Sequence, residues 1–167
     1  MTAAEQVKTA LIAALEDAGL AAVGAWEEER LRHWPGCVTA VGAEKTALRQ
    51  TGLLDYLGET FDEARGTTAE VYGRTMTMTL SLDVYTPREL GAAAGEAAAE
   101  QATQALTARL PSGLRAQEIC WEGSAWDRAS GMFRKRGSAE FTALFTASAA
   151  EDEAVLSDFI LKGAVRG

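Results

Sequence analysis

Histidine and cysteine carry much of protein catalysis and metal binding, and this chain has one histidine and two cysteines. A Ser-His-Asp or Cys-His arrangement would have to include His33, which lies in a charged stretch between Arg32 and Trp34. The spacing places neither Cys37 nor Cys120 against it. Zinc sites need several such ligands at short spacing. We interpret His33 as an exposed or turn residue and expect no metal and no cofactor.

Paired carboxylates are the other common route to acid–base catalysis. Such a pair could be drawn from the acidic side chains of one segment, which are Asp55, Glu59, Asp62 and Glu63. Acids on a loop are more often a solvated face, and the sequence has neither a P-loop nor a G-x-G-x-x-G motif after a strand. These observations predict that the protein is not an enzyme.

Two of the four tryptophans, Trp121 and Trp126, lie within six residues of each other. They could form an exposed aromatic pair that binds a ligand. Alternatively, Trp121 faces the core and Trp126 packs under a turn that Asp127 caps. We favour the second interpretation because aromatic side chains dominate protein cores.

The chain is acidic, with a formal net charge of −8. The one basic cluster, Arg134 to Arg136, is too small to predict nucleic-acid binding by counterion release, so no sequence-specific nucleic-acid partner is expected. No segment approaches the roughly twenty apolar residues that span a bilayer. Acidic residues by Glu5 and the lack of an apolar core argue against a signal peptide. We therefore expect a cytoplasmic protein with reduced thiols and no membrane partner.

The strongest local pattern predicts one long strand over residues 71–85. Its residues alternate with a period of two, which a helix cannot produce. One predicted face is apolar, with Tyr72, Met76, Met78, Leu80, Leu82 and Val84. The other is polar, with Thr75, Thr77, Thr79, Ser81 and Asp83. Pro87 ends the strand.

Other patterns predict two helices and several more strands. The first helix covers residues 3–18 and begins with a capping box made by Thr2 and Glu5. The second covers residues 87–110 and has a mostly alanine stripe made of Leu90, Ala94, Ala97, Ala98, Ala105 and Leu106. Strands are predicted at 20–26, 37–41, 114–122, 132–147 and 159–165, with a polar turn at 124–131 and an arm at about 42–68.

This order predicts a single α+β domain over residues 1–167. Its sheet is expected to be mostly antiparallel, with long strands packed against two helices, and residues 42–68 form an extended loop or hairpin arm. A connection of that length inside a domain usually has a function or is mobile.

Two passages together resemble small tail proteins of phages and prophages, of the tail-terminator and tail-completion kind. The first is the strand that begins Val71-Tyr72-Gly73-Arg74 and leads into the alanine-rich helix. The second runs from Cys120-Trp121-Glu122 through Asp127-Arg128 and Gly131-Met132-Phe133-Arg134 into the strand with Phe141 and Phe145. The resemblance covers roughly residues 70–165 and lies in the order of elements.

The resemblance implies a non-catalytic protein that caps or completes a tail tube as a homo-oligomeric ring, often hexameric, inside a phage-like particle. Its partners would be further copies of itself and other tail or head–tail connector proteins. Ring contacts are heterologous, so two different surfaces of each subunit must meet. The expected interface residues are Leu53, Leu54, Tyr56 and Leu57 in the arm and Thr75, Thr77 and Thr79 on the polar strand face.

Two alternatives stay open on the sequence. The four arm residues could complete the core of their own domain, because an apolar patch alone does not identify its partner. The protein could instead be a dimeric α+β binding module, which holds a small ligand or a protein partner on its sheet face or near Trp121 and Trp126.

If the protein forms a ring, an acidic lumen would suit DNA transit, because it would repel the phosphates of the DNA.

Overall fold

One sheet with two helices on one side organises the chain. The computed structural model describes residues 1–25, 34–50, 56–150 and 159–163. In chain order the elements are α1 (Ala3–Asp17), β1 (Ala21–Gly24), β2 (Val38–Gln50), β3 (Tyr56–Asp62), β4 (Thr67–Thr86), a 3-10 turn (Arg88–Leu90), α2 (Ala92–Ala108), β5 (Leu114–Asp127), β6 (Met132–Ala150) and β7 (Ile160–Leu161).

The described strands form a seven-stranded sheet in the order β1-β2-β4-β6-β5, with β3 also paired to β4 and β7 to β6. Only β1 and β2 pair in parallel, and the other pairs are antiparallel. The fold is therefore α+β with a mostly antiparallel sheet and two helices, as the sequence predicts.

Strand β4 has the predicted alternation. Met78, Leu80, Leu82 and Val84 are buried, whereas Thr75, Thr77 and Thr79 on the other side are half-buried. The strand runs farther than predicted, over 20 residues, and ends before Pro87. Its pairing with β6, which is one residue shorter, forms the centre of the sheet.

Both helices pack on the apolar side of β4, which we call the covered face; the side with Thr75, Thr77 and Thr79 is the open face. The core of the covered face joins both helices to the central strands, through buried side chains that include Val7, Leu11, Leu15, Ala102, Leu106, Phe141 and Phe145. Helix α1 begins with the predicted capping box, in which Thr2 and Glu5 satisfy each other's backbone N–H groups.

The predicted stripe of α2 is partly wrong. The chain forms a 3-10 turn at Arg88–Leu90, and Gly91, with φ 74°, separates that turn from the helix. A helical pattern that is counted from Leu90 therefore assigns some residues to the wrong side of the helix, and both Leu90 and Ala97 are exposed. The buried stripe is made of Gly95, Ala98, Ala99, Ala102, Ala105 and Leu106.

Three predicted boundaries also change. Strand β2 continues to Gln50 instead of ending at Val41. Of the two forms expected for the arm at 42–68, an extended loop or a hairpin, the described residues have the hairpin, formed by β3 and β4. Strand β5 extends to Asp127 and takes up the first part of the predicted turn at 124–131. The described part of the last predicted strand pairs only over Ile160–Leu161, and 164–165 lie outside the described residues. His33, Leu53, Leu54 and Asp55 lie outside them as well.

Candidate interaction surface

Residues 56–72, which we call the distal hairpin, carry β3, a tight turn and the first part of β4. Asp62 forms the turn, because its Oδ1 atom accepts hydrogen bonds from the backbone N–H groups of Ala64 at 3.0 Å and Arg65 at 3.3 Å. Gly66 completes the turn with φ 65°, a conformation that glycine adopts without strain. Four of the charged side chains of this hairpin are acidic and one is basic.

Strands β2 and β3 lie end to end along the same edge of β4. Gln50 pairs with Arg74 and Tyr56 pairs with Tyr72, so the two strands meet β4 at positions that lie only two residues apart. The other edge of β4 is occupied by β6 over this whole stretch. In the described residues, β2 and β3 therefore pair one after the other with the same edge of β4.

The side of the distal hairpin that continues the covered face carries aromatic and acidic side chains in successive cross-strand pairs. Tyr56 stands opposite Tyr72, with edge-to-face rings whose centroids are 5.7 Å apart. Glu59 stands opposite Glu70, and Phe61 stands opposite Thr68. Neither helix packs substantially on β3. Tyr56 is consequently 43% exposed and Phe61 64% exposed.

Leu57 lies on the opposite side, against Gly73. A Cβ atom at Gly73 would come within 2.4 Å of Leu57 Cδ1 and 3.2 Å of Leu144 Cδ1, so the missing side chain leaves room for both leucines. This is the open face, with Thr75, which pairs with Leu144. Leu57 is nevertheless 45% exposed.

The predicted interface residues are thus divided between two faces. Leu57 shares the open face with Thr75, Thr77 and Thr79, whereas Tyr56 lies on the other side. Sequence reasoning missed Phe61, the most exposed aromatic side chain of the described residues. The bulge at Tyr56–Gly58 breaks the period of two in β3, so a local pattern could not place Phe61 on the same side as Tyr56.

A second exposed apolar group lies at the other end of the sheet, which we call the basal end, where β4 stops and the β5–β6 turn lies. Trp126 pairs across the strands with Phe133, and their rings meet edge to face with centroids 5.2 Å apart. Trp126 is 44% exposed and Leu90 50% exposed. Asp127 caps the adjacent turn by accepting a 2.6 Å hydrogen bond from Ser130 Oγ, as predicted, but Trp126 is not buried under that turn.

Apart from the N-terminal Met1, every large apolar side chain that is exposed in the described residues belongs to one of these two groups. The first group is Tyr56, Leu57 and Phe61; the second is Leu90 and Trp126. Large apolar groups that are concentrated at two places on a surface indicate interaction sites.

The two cysteines have polar side chains as neighbours. Cys37 lies 3.5 Å from the Thr86 hydroxyl, and Cys120 is exposed. A hydrogen bond to Glu118 raises the pKa of the Cys120 thiol, which is the opposite of nucleophile activation. Among the described residues no group of three or more His, Cys, Asp or Glu side chains is arranged to hold a metal ion.

A shallow groove of about 240 Å³ lies at the end of α2, between Thr107 and Ala116. Pockets for small ligands usually have about 300–1,000 Å³, so this groove falls below their range. No helix in the described part of the chain is both long and apolar enough to cross a bilayer.

No protein-family model matches the chain, and no curated protein sequence matches it.

Proposed function

We propose that this protein is a non-catalytic structural subunit that assembles with copies of itself, as a ring-forming terminator or completion protein of a phage-type tail. The observation that carries the assembly step is the distal hairpin. It presents Tyr56, Leu57 and Phe61 to solvent on an edge strand that the helices of its own chain leave bare.

An exposed edge strand is a strong argument for association. Its unpaired N–H and C=O groups are a template for another chain, and proteins normally protect such edges with charges, bulges or a covering element. Strand β3 has a bulge at Tyr56–Gly58 but still exposes three large apolar side chains. A contact with a neighbouring subunit would cover these groups.

The tail assignment depends on the resemblance in the order of elements: a long strand, an alanine-rich helix across the sheet, and a hairpin with a capped turn. The structure has that order, with β4, α2 and the β5–β6 hairpin. In a ring, the two exposed groups give each subunit two different surfaces, as a heterologous contact requires. The gene neighbourhood tests this assignment: genes for capsid, portal and tail-tube proteins are expected beside this one, and a purely metabolic neighbourhood would contradict it.

Solution mass tests the assembly step. Sedimentation velocity over a range of protein concentrations should show an oligomer, and negative-stain images should show closed rings. The double variant Leu57→Ser and Phe61→Ser should shift the protein to monomer without a change in circular dichroism. Ala97→Ser changes an exposed alanine of α2 and serves as the control. A wild-type protein that stays monomeric at every concentration, alone and with tail-tube protein, would overturn the proposal.

A further inference from the structure

The middle of the distal hairpin carries an uncompensated pair of negative charges. Glu59 and Glu70 stand directly opposite each other on paired strands, between the Tyr56–Tyr72 pair and Phe61. Like charges in this position destabilise a strand pair by about 0.2–1 kcal/mol. In the described residues Glu70 has only the hydroxyl of Tyr72 as a hydrogen-bond donor, at 2.5 Å, and no cation is paired with either carboxylate.

Alternating aromatic rings and carboxylates form a surface that can bind the guanidinium group of an arginine. A guanidinium group binds a carboxylate with two parallel hydrogen bonds and also stacks on aromatic faces. It would relieve the repulsion between Glu59 and Glu70 and contact Tyr56 or Phe61 at the same time.

The basal end provides such arginines. Arg128 lies in the β5–β6 turn, two residues after Trp126, and Arg88 lies in the 3-10 turn, two residues before Leu90. Both are exposed, and neither guanidinium group has an ion pair or hydrogen bond in the described part of the chain. The basic side chains nearby behave differently: Arg134 pairs with Asp83 at 2.6 Å and Lys135 with Glu96 at 2.9 Å. The basal end therefore combines exposed apolar groups with two unpaired cations in a protein of net charge −8.

The two surfaces of one chain cannot reach each other. Phe61 of the distal hairpin stands opposite Thr68, and the basal end lies at Thr86, 18 positions farther along one continuous strand. At about 3.4 Å per residue, that separation is about 60 Å. A contact between them has to join different molecules.

We propose that the aromatic and acidic side of the distal hairpin docks on the basal end of a second copy of this chain. In this contact Phe61 packs with Trp126 and Leu90, and the partner arginines neutralise Glu59 and Glu70. The inference depends on the proposed self-assembly and specifies its two surfaces. The contact is heterologous, so repeated copies close into a ring when the rotation between subunits permits it.

Charge reversal tests this contact. Glu59→Arg should weaken self-association at least about tenfold, because like charges would then face each other across the interface. The same substitution should not reduce the free energy of unfolding, because the new guanidinium lies opposite Glu70 in its own chain. Arg128→Glu should weaken association to a similar degree. Glu100→Arg and Arg115→Glu are matched controls at exposed positions outside both surfaces, and both should associate as the wild type does.

Mixing the two weakened variants makes the test specific. In an equimolar mixture, the reversed hairpin of one variant meets the reversed basal end of the other, and the unchanged surfaces also meet. Association should recover in this mixture and in the double variant Glu59→Arg and Arg128→Glu, as measured by sedimentation velocity. Association should also weaken as salt is added.

The outcomes separate the two proposals. If the wild-type protein is monomeric at all concentrations, the proposed assembly and this contact both fail. If it assembles, but the single reversals have no effect or neither the mixture nor the double variant recovers, assembly stands and this contact is wrong.

Discussion

The indole Nε1 atom of Trp121 in β5 donates a hydrogen bond of 2.9 Å to the hydroxyl oxygen of Thr103 in α2. The ring of Trp121 lies against Gly137 of β6, where a Cβ atom would come within 2.5 Å of two of its carbon atoms. Trp121 therefore connects two strands with a helix, which agrees with the prediction that it faces the core. The N–H donor of this partly buried indole is thereby satisfied inside the fold.

Replacing Gly137 with alanine should destabilise the protein by about 1–3 kcal/mol, because the added methyl group overpacks this contact. The new Cβ atom would also lie 2.6 Å from the backbone oxygen of Leu82, which cannot rotate away. Urea unfolding would measure the loss. Gly123→Ala is the matched control in β5, since a Cβ atom there meets nothing within 4 Å. Equal stability of the two variants would contradict the packing argument.

The ion pair between Lys135 and Glu96 should also contribute to stability. Lys135 is nearly buried and donates to the backbone oxygen of Glu122 at 2.6 Å, and Glu96 also accepts a 2.9 Å hydrogen bond from Ser124. Glu96→Ala removes two partners at once and should lower the free energy of unfolding by about 1 kcal/mol. Glu100→Ala, an exposed position on the same helix, should change it little. Equal effects in urea unfolding would show that the pair contributes nothing.

Acid should weaken the β5–β6 turn. Hydrogen bonds from the Ser130 hydroxyl and backbone lower the pKa of Asp127 below its usual value of 3.8. The carboxylate form is therefore stabilised in the folded protein, and this stabilisation is present above pH 3.8 and lost as the pH falls through the lower folded pKa.

Ser130→Ala removes the largest cause of this shift. The variant should be less stable than the wild type at neutral pH, and the difference should shrink as the pH falls below 3.8 and through the lowered pKa of Asp127. Urea unfolding at several pH values measures the difference, and an NMR titration of the Asp127 carboxyl should show its pKa rise in the variant. A constant difference across this range would exclude the linkage. Other acidic groups titrate in both proteins and cancel in the comparison.

Gln6 of α1 holds β7 with both ends of its amide. Its Nε2 atom donates to the backbone oxygen of Phe159 at 3.1 Å, and its Oε1 atom accepts from the N–H of Leu161 at 2.9 Å. Gln6→Ala should cost about 1–2 kcal/mol and speed up hydrogen exchange at the Leu161 amide. Gln101→Ala, an exposed glutamine of α2, is the control. Unchanged exchange at Leu161 would mean that Gln6 does not hold β7.

Local signals were sufficient for some elements. The capping box at Thr2 and Glu5 and the period of two in β4 depend on neighbouring residues, and the structure has both. The α2 stripe could not be placed correctly, because the break at Gly91 shifts the helical phase. The end-to-end placement of β2 and β3 depends on which residues of β4 they pair with, and no local pattern contains that register.

The part of the candidate surface that depends on neighbouring residues could be predicted, and the part that depends on strand register could not. Tyr56 and Leu57 stood out because they are apolar beside several glycines, and both are exposed. The Glu59–Glu70 pair could not be identified, because its members come from different strands and face each other only through the register. The unpaired arginines of the basal end were likewise indistinguishable in sequence from Arg134, which has a partner.

The central pairing of β4 with β6 also has a consequence for folding order. Each of these strands forms a local hairpin, with β2 and β3 or with β5, but they pair with each other across α2, from Thr86–Phe133 to Ala69–Ala150. Such distant pairing closes slowly, after the local hairpins have formed. During synthesis β4 leaves the ribosome before β6, so the edge of β4 that β6 later occupies stays unpaired in the meantime, and we expect this segment to be prone to aggregation until β6 pairs with it.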